Sequence, residues 1–143
     1  MTDNLSMGDF DWVTARHECS LVKAFVQLKR DLEKDAAKAN ELFKGNRKYT
    51  LTQDAYSLTV TEEHFSGEMR SVGFALNDEK TAVRVSNERD ESMFEFTVTL
   101  NKKRHCVFLV NGEEMESWEV RQKALNSLLF LIRVRSSSGF SAV

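Results

Sequence analysis

The stretch from Ser92 to Val110 constrains the fold more than any other part of the sequence. Apolar and polar residues alternate along its first half; the apolar positions are Phe94, Phe96, Val98 and Leu100, and the polar ones are Glu95, Thr97 and Thr99. This period of two is typical of a β-strand with one buried face. A polar segment, 101–104, separates it from the almost wholly apolar segment 105–110. The pattern predicts a central hairpin whose second strand is the most buried in the chain.

More strand signals flank this hairpin. Alternating apolar residues mark short strands around 49–51, 56–60, 72–76 and 83–85, and polar turns separate them. Connections this short join antiparallel neighbours, so we expect a meander. After Val110, Asn111-Gly112 is a strong hairpin signal. The segment 113–117 then fits either a brief edge strand or the acidic first turn of a last helix, and the sequence leaves both open.

Helical spacing marks both ends of the chain. From about Asp9 to Lys44, apolar residues recur every three or four positions; they are Leu21, Phe25, Leu28, Leu32, Ala36, Ala39 and Phe43. This spacing predicts one long helix with a single apolar stripe, although a break near Cys19-Ser20 stays open. A second helix is predicted from Trp118 or Val120, with apolar residues nearly all round at Leu128–Ile132.

These elements predict the α+β class. The opposite faces of the strands carry small or polar residues, so one face of the sheet is apolar and the other hydrophilic. We expect an antiparallel β-meander of about five to seven strands, with the long N-terminal helix and the C-terminal helix packed on one face. The hairpin positions predicted to be buried against helix are Phe94, Phe96, Val98, Cys106, Phe108 and Val110. The 143 residues fit a single domain, 1–143, with 1–8 and 136–143 as flexible tails.

Charge and hydropathy argue against two classes of partner. The formal net charge of −2 lacks the positive excess that nucleic-acid binding usually needs, so we expect no nucleic acid. The longest apolar run, Leu128–Ile132, is far too short to span a bilayer, so we expect no membrane partner. The segment Met1–Gly8 has neither a basic nor an apolar region typical of a secretion signal. We therefore expect a cytoplasmic protein.

The cysteines and histidines are the residues with most chemical potential. Cys19 and Cys106 lie far apart in periodic segments, and both are expected to be free thiols in a reducing compartment. His17 and Cys19 point apart on a helix, and His105 and Cys106 point to opposite faces of a strand, which argues against a metal site. Cys19, predicted to lie in mid-helix, is a poor nucleophile for a pair with His64 or His105.

The remaining motifs are explained without a catalytic or ligand-binding role. The acidic residues Glu113, Glu114, Glu116 and Glu119 fit a helix start or solubility, and Lys102-Lys103-Arg104 fits a solvated turn. Ser141-Ala142-Val143 has the form of a C-terminus that strand-adding domains accept. No phosphate-binding, nucleophile-elbow or zinc-protease motif is present in the sequence. We therefore predict no catalytic, cofactor-binding or metal residue, and an enzyme is the least favoured class.

Element lengths provide the functional hypothesis. A helix of about 36 residues would be roughly 54 Å long, whereas strands of about seven residues span only roughly 24 Å. The stripe at Leu21, Phe25, Leu28 and Leu32 would then overhang, and either a second subunit or the C-terminal helix would cover it. The preferred hypothesis is a protein-interaction domain, adaptor or chaperone-like, that acts as a homodimer. The alternative is a carrier of a small hydrophobic ligand, with a cavity lined by Tyr49, Tyr56, Phe74, Phe94, Phe96 and Phe108.

Overall fold

The fold is a seven-stranded antiparallel sheet with helices at both ends of the chain. A computed structural model describes residues 9–45 and 47–130. The elements in order are α1 (Trp12–Glu18), α2 (Leu21–Leu42), β1 (Arg47–Gln53), β2 (Ser57–His64), β3 (Met69–Leu76), β4 (Val83–Asn87), β5 (Ser92–Leu100), β6 (Cys106–Val110), β7 (Glu113–Met115) and α3 (Ser117–Phe130). Each strand pairs with its neighbours in the chain, in the order β1 to β7. The predicted α+β meander is confirmed. The predicted tails, 1–8 and 136–143, and the helical segment after Phe130 lie outside the described residues.

The structure resolves both questions that the sequence left open. The N-terminal helical region is broken: α1 ends at Glu18, and Ser20 has the extended backbone of an N-cap, with its hydroxyl accepting from the Lys23 amide. At the other end, 113–115 form an edge strand and the helix begins at Ser117. The Glu119 carboxylate accepts from the Glu116 amide at 2.8 Å, which satisfies one of the free donors at the start of α3.

The apolar stripe of α2 is covered within the subunit. All its members from Leu21 to Ala39 are buried. The expectation that this stripe overhangs the sheet is wrong, because the break leaves α2 with 22 residues, a length of about 33 Å. In addition, α3 lies beside α2, where the Ser117 hydroxyl approaches Asp31 and the Arg121 guanidinium binds Asp35 at 2.7 Å.

The central hairpin is buried on the helical side, but not at every predicted position. Phe94, Phe96, Val98 and Val110 are buried, Phe108 is half-buried and Cys106 is exposed. The prediction that the second arm is the most buried strand is also wrong, since β6 has only one buried residue. Its neighbour β7 has three residues, so β6 lies almost at the sheet edge and solvent reaches it.

Part of the outer edge of β1 is covered by a side chain from α2. The Asn40 amide donates to the Tyr49 carbonyl and accepts from the Tyr49 amide, both at 2.8 Å. This pair of bonds reproduces the pairing that a further strand would make at Tyr49. Asn40 therefore fixes α2 to the sheet and occupies part of its free edge.

The packing of Phe96 generates a stability prediction. The ring is buried and lies 5.4 Å, centroid to centroid, from that of Phe108. Phe96→Ala should lower the free energy of unfolding by about 3 to 5 kcal/mol, because it leaves a cavity in the core. Phe65→Ala, at an exposed ring, should cost less than about 1 kcal/mol. Urea titration monitored by circular dichroism measures both, and equal losses would contradict the assigned strand faces.

Candidate functional site

The two cysteines form a disulfide, so the prediction of two free thiols is wrong. Cys19 and Cys106 have Cα atoms 5.3 Å apart and are joined through their sulfurs across a separation of 87 residues. The prediction failed because apolar periodicity places Cys19 in the middle of one helix. In the structure Cys19 lies between α1 and α2, and its side chain reaches the start of β6. The two halves differ in environment, since Cys19 is 2% exposed and Cys106 is exposed.

The disulfide attaches α1, which has little other anchorage. This seven-residue helix has no buried residue, and its N-cap bond, from the Thr14 amide to Asp11, is internal. Hydrogen bonds from the Thr14 side chain and then from its amide lower the pKa of the Asp11 carboxyl. Just before the helix, the Phe10 ring lies 4.8 Å from the Arg104 guanidinium. Helix α1 therefore presents exposed side chains, including Trp12, and the disulfide supplements its surface contacts with β5.

An open groove adjoins the exposed half of this disulfide. It has a volume of about 700 Å³ and lies between the β5–β6 turn, β7 and the start of α3, with Cys106 on its wall. Its charged or titratable lining residues are Lys102, Lys103, His105, Glu114, Glu116 and Glu119. The basic turn and the acidic run, which the sequence analysis treated as separate solvated segments, thus lie on the same groove. With two lysines and three glutamates, the lining carries both signs with a slight acidic excess, which suits a ligand with groups of both signs.

The three histidines are dispersed. His17 is exposed on α1, His105 is exposed at the groove, and the His64 ring hydrogen-bonds to the Ser66 hydroxyl at 2.8 Å. Within 9–45 and 47–130, no group of three or more histidine, cysteine or acidic residues could hold a metal ion. The C-terminal Ser141-Ala142-Val143 lies outside the described residues.

A buried carboxylate, Glu62, forms the main charged cluster and was missed in the sequence analysis. Its side chain is fully buried and accepts from Arg47 at 3.3 Å, Arg70 at 3.2 Å and the Tyr49 hydroxyl at 3.2 Å. Arg70 also donates to the carbonyls of Ser127 and Leu128 near the end of α3. Continued alternation after Leu58 and Val60 was the available signal, because it places residue 62 on the core face.

The environment of Tyr49 follows from this cluster. Burial, and secondarily the negative charge of Glu62, raise the pKa of the Tyr49 hydroxyl. Tyr49 therefore remains a neutral donor to Glu62 at physiological pH. The cluster has a structural role, because Arg47, Arg70 and the Tyr49 hydroxyl all bind the buried carboxylate of Glu62.

The aromatic residues proposed to line a ligand cavity do not share one environment. Tyr49, Phe74, Phe94 and Phe96 are buried in the core cluster, Phe108 packs against it and Tyr56 is exposed. These side chains fill the core between sheet and helices rather than surround one space.

The outward face of α3 has an unusual composition. Four residues at a spacing of four form what we term the α3 ridge: Trp118, Gln122, Asn126 and Phe130. All are exposed, Trp118 by 53% and Phe130 by 63%, and the Phe130 ring also packs edge-to-face on Phe43 with centroids 5.5 Å apart. A shallow groove of about 200 Å³ runs beside the ridge, with Asp35 of α2 on its far wall. An uncharged ridge with a large aromatic residue at each end is typical of a contact surface.

Comparisons with known protein families, with curated proteins and with solved structures find no match for this chain. Among the helices of residues 9–45 and 47–130, none has the length and apolar character needed to cross a bilayer.

The Glu62 cluster generates a second stability prediction. Glu62→Gln should lower the free energy of unfolding by about 3 kcal/mol, because it leaves Arg47 and Arg70 without their shared counter-charge. Glu63→Gln, one residue further on and exposed, should change it by less than about 0.5 kcal/mol. Thermal unfolding of the two variants provides the comparison. A silent Glu62→Gln variant would show that the cluster contributes nothing to stability.

The disulfide generates a third prediction. Protein denatured without reductant should contain no titratable thiol, and reduction should yield two. Cys106→Ser should lower the free energy of unfolding by about 2 to 4 kcal/mol, because it frees a long loop in the unfolded chain. Reductant should destabilise the wild-type protein and leave this variant unchanged. Two titratable thiols before reduction would contradict the pairing.

Proposed function

We propose that the protein is a protein-interaction domain that acts as a homodimer, with the α3 ridge as its contact surface. The supporting observation is the exposed, uncharged ridge itself. Large aromatic residues are over-represented in the energetic centres of interfaces, and charged residues are depleted there. The proposal keeps the homodimer expected from the sequence and moves its interface from α2 to α3, because the α2 stripe is covered within the subunit.

The order of residues along the ridge supports a second copy as the partner. Trp118 and Phe130 stand six residues on either side of Ala124, and Gln122 and Asn126 stand two residues on either side of it. A two-fold axis that crosses the outward face of α3 level with Ala124, whose own side chain is buried in the core, pairs an aromatic residue with an aromatic residue and an amide with an amide. Self-complementarity of this kind is what a two-fold interface requires. Ridges with a spacing of four also pack into the grooves of like helices.

The charges beside the ridge support the same arrangement. Helix α3 has three charged residues, and each interacts within the subunit: Glu119 with the Glu116 amide, Arg121 with Asp35, and Lys123 with the Phe94 ring, whose centroid is 5.3 Å from Nζ. The four residues of the ridge carry no charge, so two copies can approach along it without desolvating a charged ridge residue.

The small-ligand alternative has less support, because most of the aromatic residues expected to line a cavity are packed in the core. The cytoplasmic location stays a prediction. The disulfide counts against it, since stable disulfides are rare in reducing compartments. Trapping of thiols in living cells with an alkylating reagent, followed by mass spectrometry of Cys19 and Cys106, distinguishes the two environments.

The dimer proposal makes a direct prediction. The wild-type protein should sediment as a dimer at micromolar concentration, and Trp118→Glu should sediment as a folded monomer. A carboxylate at this position would be desolvated in the interface but hydrated in the free subunit, where the side chain is half-exposed. Analytical ultracentrifugation gives the mass, and circular dichroism gives the retained fold.

Trp12→Glu is the matched control, because Trp12 is 63% exposed on α1 and lies outside the ridge. It should remain dimeric. A wild-type protein that stays monomeric throughout the micromolar range would overturn the proposal, and dissociation by both variants would place the contact elsewhere.

A further inference from the structure

We propose that the Cys19–Cys106 disulfide is a thiol-exchange site that accepts a small zwitterionic thiol at Cys106 and releases α1. The proposal is independent of the dimer. Its basis is the unequal exposure of the two cysteines, the groove at Cys106 and the weak anchorage of α1.

The unequal exposure of the two cysteines determines which sulfur an incoming thiol attacks. Cys106 is exposed and lines the groove of about 700 Å³, whereas Cys19 is 2% exposed. A thiolate has to reach a sulfur in line with the disulfide bond, so access decides which sulfur it attacks. Cys106 is therefore the sulfur that forms the mixed disulfide, and Cys19 is the leaving group.

Two features beside Cys19 favour a leaving thiolate, although its burial in the core cluster acts in the opposite direction. Cys19 directly precedes Ser20, the N-cap of α2, and the first turn of α2 contains no acidic residue. The Arg16 guanidinium donates to the Cys19 carbonyl at 2.8 Å. The N-terminal end of a helix and a nearby cation both stabilise thiolates.

The incoming thiol loses its proton, and its sulfur attacks Cys106 Sγ to form a new S–S bond. The Cys19–Cys106 bond breaks, and its electron pair leaves on Cys19 Sγ, which takes up a proton. A second thiol then attacks the mixed disulfide and frees Cys106. Two thiols are thereby oxidised to one disulfide while the protein disulfide is reduced by two electrons.

The groove indicates the class of thiol. Lys102 and Lys103 supply ammonium groups for the carboxylates of a ligand, and Glu114, Glu116 and Glu119 supply carboxylates for its ammonium group. A small thiol that carries both, of the glutathione class, is complementary to this lining.

The consequence for the fold is local. Once the bond is broken, α1 has no buried side chain to hold it, and the Phe10–Arg104 contact is at the surface. Helix α2 stays in place, because its own buried stripe and its bonds from Asn40 to Tyr49 do not involve the disulfide. Reduction therefore frees α1 and leaves the sheet folded.

The test uses the full-length, oxidised wild-type protein and reduced glutathione. Peptide mapping after acid quenching should find the adduct on Cys106, with Cys19 becoming open to alkylation. Lys102→Gln combined with Lys103→Gln should slow the reaction with glutathione by about tenfold and leave that with uncharged mercaptoethanol unchanged. An adduct on Cys19, or equal adducts on both cysteines, overturns the assigned direction. An unchanged glutathione rate in the double variant overturns the assigned class of thiol.

Hydrogen exchange of the reduced protein tests the structural consequence. Amide protection should be lost in α1 and kept in the strands. Retention of protection in α1, or its simultaneous loss in the sheet, overturns the release of α1.

Discussion

The buried carboxylate of Glu62 is the interaction on which the arrangement of helices and sheet depends. A charge without solvent is tolerated only when it is paired, so the positions of its partners are constrained. Arg47 opens the first strand after α2, and Arg70 connects the same carboxylate to the last turn of α3. Three adjacent strands, β1 to β3, and residues 127–128 of α3 therefore converge on one group. Apolar packing covers the sheet, whereas this cluster connects α3 to it through charged side chains.

The opposite end of the molecule is organised by a covalent bond. The Cys19–Cys106 link supplements the surface contacts of α1 with the sheet, because α1 has no buried residue. The two ends thus differ in what disrupts them. Glu62 is buried, so its ion pairs break only when the core unfolds, whereas in the exchange that we propose the disulfide is reduced at the surface. A chain with this division can change its N-terminal segment without loss of its core.

Local periodicity predicted most of the fold from sequence. The alternation at Phe94, Phe96 and Val98 identified a strand and its buried face, because side-chain direction in a strand depends only on position. The break at Ser20, which the sequence left open, could not be decided from periodicity, because the residues before and after it both have a helical pattern. The disulfide depends on a contact between segments 87 residues apart, which no local pattern contains. The α3 ridge was missed because exposure of Trp118 depends on how α3 rotates against α2 and the sheet.

The closure of β1 by Asn40 bears on how copies of this chain can assemble. The Asn40 amide occupies the backbone groups of Tyr49 that a further strand would bind. At the far edge, β7 has only three residues, too few to pair stably with a strand of another molecule. Growth of the sheet from molecule to molecule, the route to fibrils, is thereby obstructed at both ends. Among the described residues, the helical surfaces are the part that neither feature covers.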